Sequence, residues 1–126
     1  MPKRIVVVDD DKEVQEIVTF VLSRNGFEVV TASNGHQLQY LLSSSPAILP
    51  DLIILDIMMP GEDGYRICSG LRSDPQTQHI PVMIITGHAE GIYERISVDL
   101  GAAQHMTKPF HPLELAEKVK VLLGEE

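Results

Sequence analysis

The chain is short of basic residues, nearly free of cysteine, and has no long apolar run. With 10 Lys and Arg against 18 Asp and Glu, its formal net charge is −8. That balance argues against electrostatic capture of nucleic acid or of an anionic membrane surface. One cysteine cannot close an internal disulfide, which fits a reducing, cytoplasmic setting. Cys68 itself lies on an apolar helical stripe and reads as an inert core thiol. No apolar stretch approaches the roughly 18 residues of a membrane span. The start, Met1-Pro2-Lys3-Arg4, leads into a strand rather than a signal-peptide core. Internal repeats, low-complexity tracts and linkers are absent. So is a His/Cys ligand set for zinc: His36, His79 and His111 lack metal-ligand spacing and read as surface residues.

The chain has 126 residues, 44% of them hydrophobic, which suits one globular domain over residues 1–126. Along it, strand-like and helix-like segments alternate. Residues 4–8 form an apolar run. Val14, Ile17, Val18, Val21 and Leu22 then follow helical spacing, stopped by Asn25-Gly26. Residues 27–32 read as a second strand. Asn34 can cap a helix carrying Leu38, Leu41 and Leu42, which Ser43-Ser44-Ser45-Pro46 ends. Residues 52–55 make the third strand, and Ile67, Cys68 and Leu71 mark a helix ending near Ser73-Asp74-Pro75. Residues 80–86 are a fourth strand. Ala89, Ile92, Tyr93, Ile96 and Leu100 keep helical spacing up to Gly101, residues 102–107 form a short fifth strand, and Leu115, Val119, Leu122 and Leu123 stripe the last helix.

Five strands alternating with five helices predict an α/β fold: a parallel sheet covered by helices on both faces. Right-handed crossovers restrict the winding, and a flavodoxin-like (βα)5 arrangement of strand order 2-1-3-4-5 is expected.

In a parallel sheet all strands end along one edge, where open α/β sheets bind their ligands. Strand one ends in Asp9-Asp10, strand three in Asp56, strand four in Thr86, and strand five in Thr107-Lys108. Carboxylates, a hydroxyl and an ammonium therefore converge from distant segments. Two unit charges about 4 Å apart repel by roughly 4 kcal/mol at an effective dielectric of 20, so three acids here call for a cation. Magnesium suits acid oxygens and a backbone carbonyl after Asp56. Acids, hydroxyl and lysine together suit a phosphoryl group arriving on Asp56. Taken singly, each has a plainer reading. Asp9-Asp10-Asp11 could be a solvated helix-start cluster with Asp11 as the cap, Thr86 a strand-end threonine, and Lys108 before Pro109 a surface loop residue.

The stretches Ile5-Val6-Val7-Val8-Asp9-Asp10-Asp11, Pro50 to Gly61 with Asp63-Gly64, Pro81 to Thr86, and Lys108-Pro109-Phe110 together resemble the receiver domain of two-component response regulators. The single-domain chemotaxis regulator is of this kind. The resemblance implies that Asp56 is the phosphoacceptor, taking a phosphoryl group from a sensor histidine kinase or histidine phosphotransfer protein. It implies magnesium held by Asp10 and Asp56 directly, by Asp9 mainly through water, and by the Met58 backbone carbonyl. Thr86 would bond a phosphoryl oxygen and move towards it, Lys108 would pair with another, and the Lys108-Pro109 peptide would be cis. Phosphorylation would then bias a binding surface formed by the fourth helix, fifth strand and last helix. The output would be a downstream protein or a fused output domain, with homodimer formation on phosphorylation among the options. Direct nucleic-acid or membrane contact is not expected. Such a receiver assists its own phosphorylation and dephosphorylation without being an enzyme in the usual sense.

The chain departs from the family at His105, where a Tyr or Phe that turns with the switch threonine is usual. A histidine there could pack and swing with Thr86, or be a half-exposed strand residue. Gly87 replaces the commoner alanine and leaves the phosphoryl oxygen accessible. Other readings remain: a phosphorylation-independent receiver-like binding module, an aspartate-dependent phosphatase, or a flavin binder. The phosphatase needs an acid where Met58 stands, and the flavin binder a phosphate loop that is not acidic. In the family it resembles, the position two residues beyond the threonine tends to modulate dephosphorylation. The resemblance therefore implies that His88 influences how long an aspartyl phosphate survives, the alternative being a solvent-exposed helix-start histidine. His88→Ala is therefore expected to alter that lifetime in a phosphate-release assay, and an unchanged lifetime would leave it a helix-start surface residue.

Overall fold

Strands without polar alternation must be covered on both faces, and a computed structural model covers them in this way. It describes residues 2–44, 49–59, 61, 63–87 and 101–124. The described elements are β1 (Arg4–Val8), α1 (Lys12–Arg24), β2 (Glu28–Ala32), α2 (Gly35–Ser43), β3 (Leu52–Asp56), α3 (Gly64–Ser73), β4 (Val82–Thr86), β5 (Gln104–Thr107) and α4 (Pro112–Leu123). The five strands form one parallel sheet of order β2-β1-β3-β4-β5, as expected. The helix expected over Ala89 to Leu100 lies outside the described residues.

The sheet separates two cores. On one face Val6, Val8, Ile53, Leu55 and Ile84 pack with Leu38 and Leu42 of α2 and Cys68 and Leu71 of α3. On the other, Ile5, Val7, Ile54, Ile85 and Met106 pack with Val18 and Leu22 of α1 and Leu115 and Val119 of α4. Each such side chain contributes about 1.5–3 kcal/mol by leaving water. Cys68 is buried as expected, and burial raises its thiol pKa.

Element boundaries shift slightly from the sequence reading. β2 starts at Glu28 because the Phe27 N–H is used at the end of α1, donating to Leu22 O at 3.1 Å. Its left-handed turn residue is Gly26, at φ 89. β4 starts at Val82 rather than residue 80: Ile80 N–H closes the preceding turn on Thr77 O at 2.9 Å, and Pro81 has no N–H to give. β5 is shorter than expected, and β3 extends by one residue to Asp56, which pairs with Ile85.

The expected caps are present. Asp11 accepts from Glu13 N at 2.9 Å to start α1, and Asn34 accepts from Gln37 N at 2.8 Å to start α2. Asp63 caps α3 through Arg66 N at 3.2 Å. His111, read as a plain surface residue, is exposed but also caps α4, accepting from Leu113 N at 3.1 Å through Nδ1.

Gly64 is a point of close approach. A Cβ there would fall onto the Ile57 Cα and within 2.7 Å of the Ile57 carbonyl oxygen. The first turn of α3 thus presses on the backbone that leaves Asp56. Because backbone cannot yield as a side-chain tip can, Gly64→Ala should destabilise the fold by about 2–3 kcal/mol in denaturant unfolding. Gly70 in the same helix has nothing within 4 Å of its would-be Cβ, so Gly70→Ala should be neutral or stabilise by up to about 1 kcal/mol.

Candidate functional site

The sheet order brings the sequence-distant acids together. β1 and β3 are neighbours with Val8 opposite Leu55, so the chain leaves both strands at the same height, at Asp9 and Asp56. β4 adjoins β3, and Thr86 at its end lies opposite Thr107 of β5. Lys108 follows directly, its N–H donating to Thr86 O at 2.7 Å. Thr86 is completely buried, and the Lys108-Pro109 peptide is cis as expected.

Asp9 and Asp56 are 1% and 3% exposed, so both carboxylates sit almost out of water. Lys108 answers them: its Nζ lies 2.8 Å from Asp9 Oδ2 and 3.1 Å from Asp56 Oδ2. The Asp56 contact is a hydrogen bond, whereas the Asp9 contact is an ion pair off hydrogen-bonding angle, leaving buried Asp9 Oδ2 without a hydrogen bond. The second oxygens are held by backbone. Asp9 Oδ1 accepts from Asp11 N and Asp56 Oδ1 from Met58 N, at 2.9 and 2.8 Å. The Met58 peptide therefore folds back on Asp56, while its side chain is exposed.

One oxygen each from Asp9, Asp10 and Asp56 can be chosen within 4.8 Å of one another, with Asp10 exposed at the rim. The donor set is oxygen only, and it includes the carboxylate oxygen left without a hydrogen bond. Both features fit a hard divalent cation. Such a cation would share these carboxylates with the Lys108 ammonium.

His105 is half-buried on β5, opposite Ile84 and so on the sheet face of α2 and α3. Its carbonyl accepts from Lys118 Nζ of α4 at 3.2 Å. Gly87 has open space where a Cβ would stand. His88 lies outside the described residues. Sequence reading overlooked Gln15, which is buried beside Asp9 and donates to the Asp9 carbonyl at 2.6 Å. The available signal was a polar residue on the stripe otherwise formed by Val18 and Leu22.

The pKa shifts follow from this packing. Burial raises the Asp9 carboxyl, helped by the charge of Asp56 and opposed by Lys108 and the Asp11 N–H. Burial pulls the Lys108 ammonium down, but its two carboxylate partners outweigh that and hold it above the ordinary lysine value. Lys108 thus contributes stability below its unfolded pKa of 10.5, lost as pH rises through the higher folded value. Asp9, with its folded pKa raised, favours the fold below 3.8 and weakens it as pH rises through the folded value. In chelator, Asp9→Asn should therefore melt above wild type at pH 7, and the gap should close as pH falls towards 3.8. Melting curves across that range test the sign.

A family model described as the response regulator receiver domain matches residues 5–120. The chain is 37% identical over 123 residues to the alkaline phosphatase synthesis transcriptional regulatory protein PhoP of Bacillus subtilis, covering 98% of this chain and 49% of that protein. It spans about half the length of the curated relatives it matches. Among solved structures, the signal receiver domain of a signal transduction histidine kinase from Syntrophus aciditrophicus is 33% identical with a TM-score of 0.85, covering 97% of this chain and 90% of that one. A response regulator receiver protein from Burkholderia phymatum is 30% identical with a TM-score of 0.87, covering 100% and 98%. With this match running from β1 into α4, and with an acid-lined strand edge beneath it, the chain belongs to the response regulator receiver domain family of two-component systems.

Proposed function

We propose that residues 1–126 form a single receiver domain in which Asp56 is the phosphoacceptor. The observation that carries this is the buried Asp56 carboxylate, ending β3 beside Asp9 and Asp10 and sharing the Lys108 ammonium with Asp9. Its donor would be a phosphohistidine on a sensor kinase or phosphotransfer protein. An Asp56 oxygen attacks phosphorus, the O–P bond forms as the P–N bond breaks, and the imidazole nitrogen leaves with the electron pair and is protonated by solvent. Asp10, Asp56 and the Met58 carbonyl would hold magnesium, with Asp9 acting mainly through water, and the ion would supply positive charge against the repulsion between carboxylate and phosphoryl oxygens.

This chain's own groups do the rest. Lys108, already between two acids, turns its ammonium to pair with a phosphoryl oxygen, and the Thr86 hydroxyl donates to another. The Lys108 N–H is tied to the Thr86 carbonyl, so the two respond as one unit. An aspartyl phosphate adds nearly two negative charges, which gives the movement an electrostatic source. The binding surface biased by this change would be β5, α4 and the helix expected from sequence before β5, which lies outside the described residues, with His105 turning alongside Thr86. The signal passes to a downstream protein or a fused output domain, or leads to a homodimer, in the cytoplasm and without direct contact to nucleic acid or membrane. The domain assists its own phosphorylation and dephosphorylation rather than turning over a separate substrate.

Intact-mass measurement after incubation with acetyl phosphate tests the reading. A single phosphoryl adduct should form with magnesium, vanish in chelator, and be absent in Asp56→Asn. If wild type gains no adduct while folded, with fast hydrolysis excluded by a time course, the domain is a phosphorylation-independent binding module instead.

A further inference from the structure

The acid pair at the end of β1 is held from behind by one buried side chain. Gln15 ends the first turn of α1 and is 6% exposed, on a face otherwise given to Val18 and Leu22. A buried amide weakens the fold unless its hydrogens find acceptors. Both do. Nε2 donates to the Asp9 carbonyl oxygen at 2.6 Å and to the Ser33 hydroxyl at 3.2 Å, and Lys12 Nζ donates to that same hydroxyl at 2.9 Å. The amide is thus braced between the end of β1 and the loop that follows β2.

The Asp9 carbonyl belongs to the peptide that joins Asp9 to Asp10. A peptide is planar, so fixing its oxygen fixes the direction in which the chain leaves for Asp10. The rest of Asp9 is already anchored, its N–H on Ala32 O at 3.0 Å and its Oδ1 under Asp11 N at 2.9 Å. The Asp9–Asp10 peptide plane is a further freedom between the two carboxylates, and the Gln15 hydrogen bond restricts it.

We infer that Gln15 is a positioning residue for the cation site, setting the angle between the Asp9 and Asp10 carboxylates through the peptide that links them. This rests on the proposed reading of those acids as cation ligands. Outer groups that orient metal ligands typically change affinity about 10–100-fold when removed. Gln15 acts through backbone, which places it at the low end. Geometry also predicts selectivity. Magnesium demands near-ideal octahedral oxygens, whereas calcium tolerates irregular ones, so a loosened acid pair loses magnesium first.

Calorimetric titration of the whole chain with magnesium, and separately with calcium, tests this on wild type, Gln15→Met and Gln15→Lys. Melts in chelator set a temperature at which all three chains are folded. Methionine keeps the shape and removes the donor. It should weaken magnesium about 10-fold and calcium clearly less. Lysine returns a donor, and its charge opposes both divalent cations alike, so a recovery of the magnesium-to-calcium affinity ratio reads the hydrogen bond. Unchanged magnesium affinity in Gln15→Met, an equal loss of both cations, or no recovery of that ratio in Gln15→Lys would overturn the inference. Wild type showing no saturable magnesium binding would instead overturn the cation reading itself, and this inference with it.

Discussion

Two carboxylates with almost no access to water share one ammonium in this domain, and the rest of the edge is arranged around that fact. Two carboxylates so close together in so dry a place repel one another unless a cation is at hand. Lys108 provides it, within 2.8 Å of one and 3.1 Å of the other. Under the proposed reading, an incoming phosphoryl group would meet one ammonium already shared by two carboxylates, and Lys108 would have to change partners. Lys108 is bound through its N–H to the Thr86 carbonyl and follows β5 directly, so a shift of Lys108 would be carried to that strand.

The precision of the arrangement comes from short-range devices rather than from the sheet alone. Parallel pairing sets the height at which Asp9 and Asp56 leave their strands, but not the direction of their oxygens. Direction is set by backbone N–H groups two residues on, from Asp11 and Met58, and by the close seat of Gly64 against Ile57. Glycine is required there for space rather than for an unusual backbone angle.

Most of this edge was legible in the sequence. Apolar runs ending in Asp9, Asp56, Thr86 and Lys108 are strong signals, because a parallel sheet leaves strand ends no choice of side. Asp11 and Asn34 announced themselves as caps by residue type. Other features were not legible, each for a physical reason. The start of β4 depended on where the preceding turn used its hydrogen bonds. His111 has unremarkable capping chemistry, although Pro112 after it marked a helix start. Gln15 read as one more polar residue until its neighbours in space were known. Nor could any pattern show that Lys108 rests on both acids rather than opposite them.

Among the described residues, the two cores touch only through the sheet between them. Ile84 and Ile85 are adjacent in the chain, yet one packs with α2 and α3 and the other with α1 and α4. Substitutions on opposite faces share no side-chain neighbours, so their energetic effects should combine by simple addition. The consequence is evolutionary: packing beneath one pair of helices can drift while the other pair, and the acid edge both support, keeps its shape. A domain partitioned in this way can acquire new partners on one face at a time.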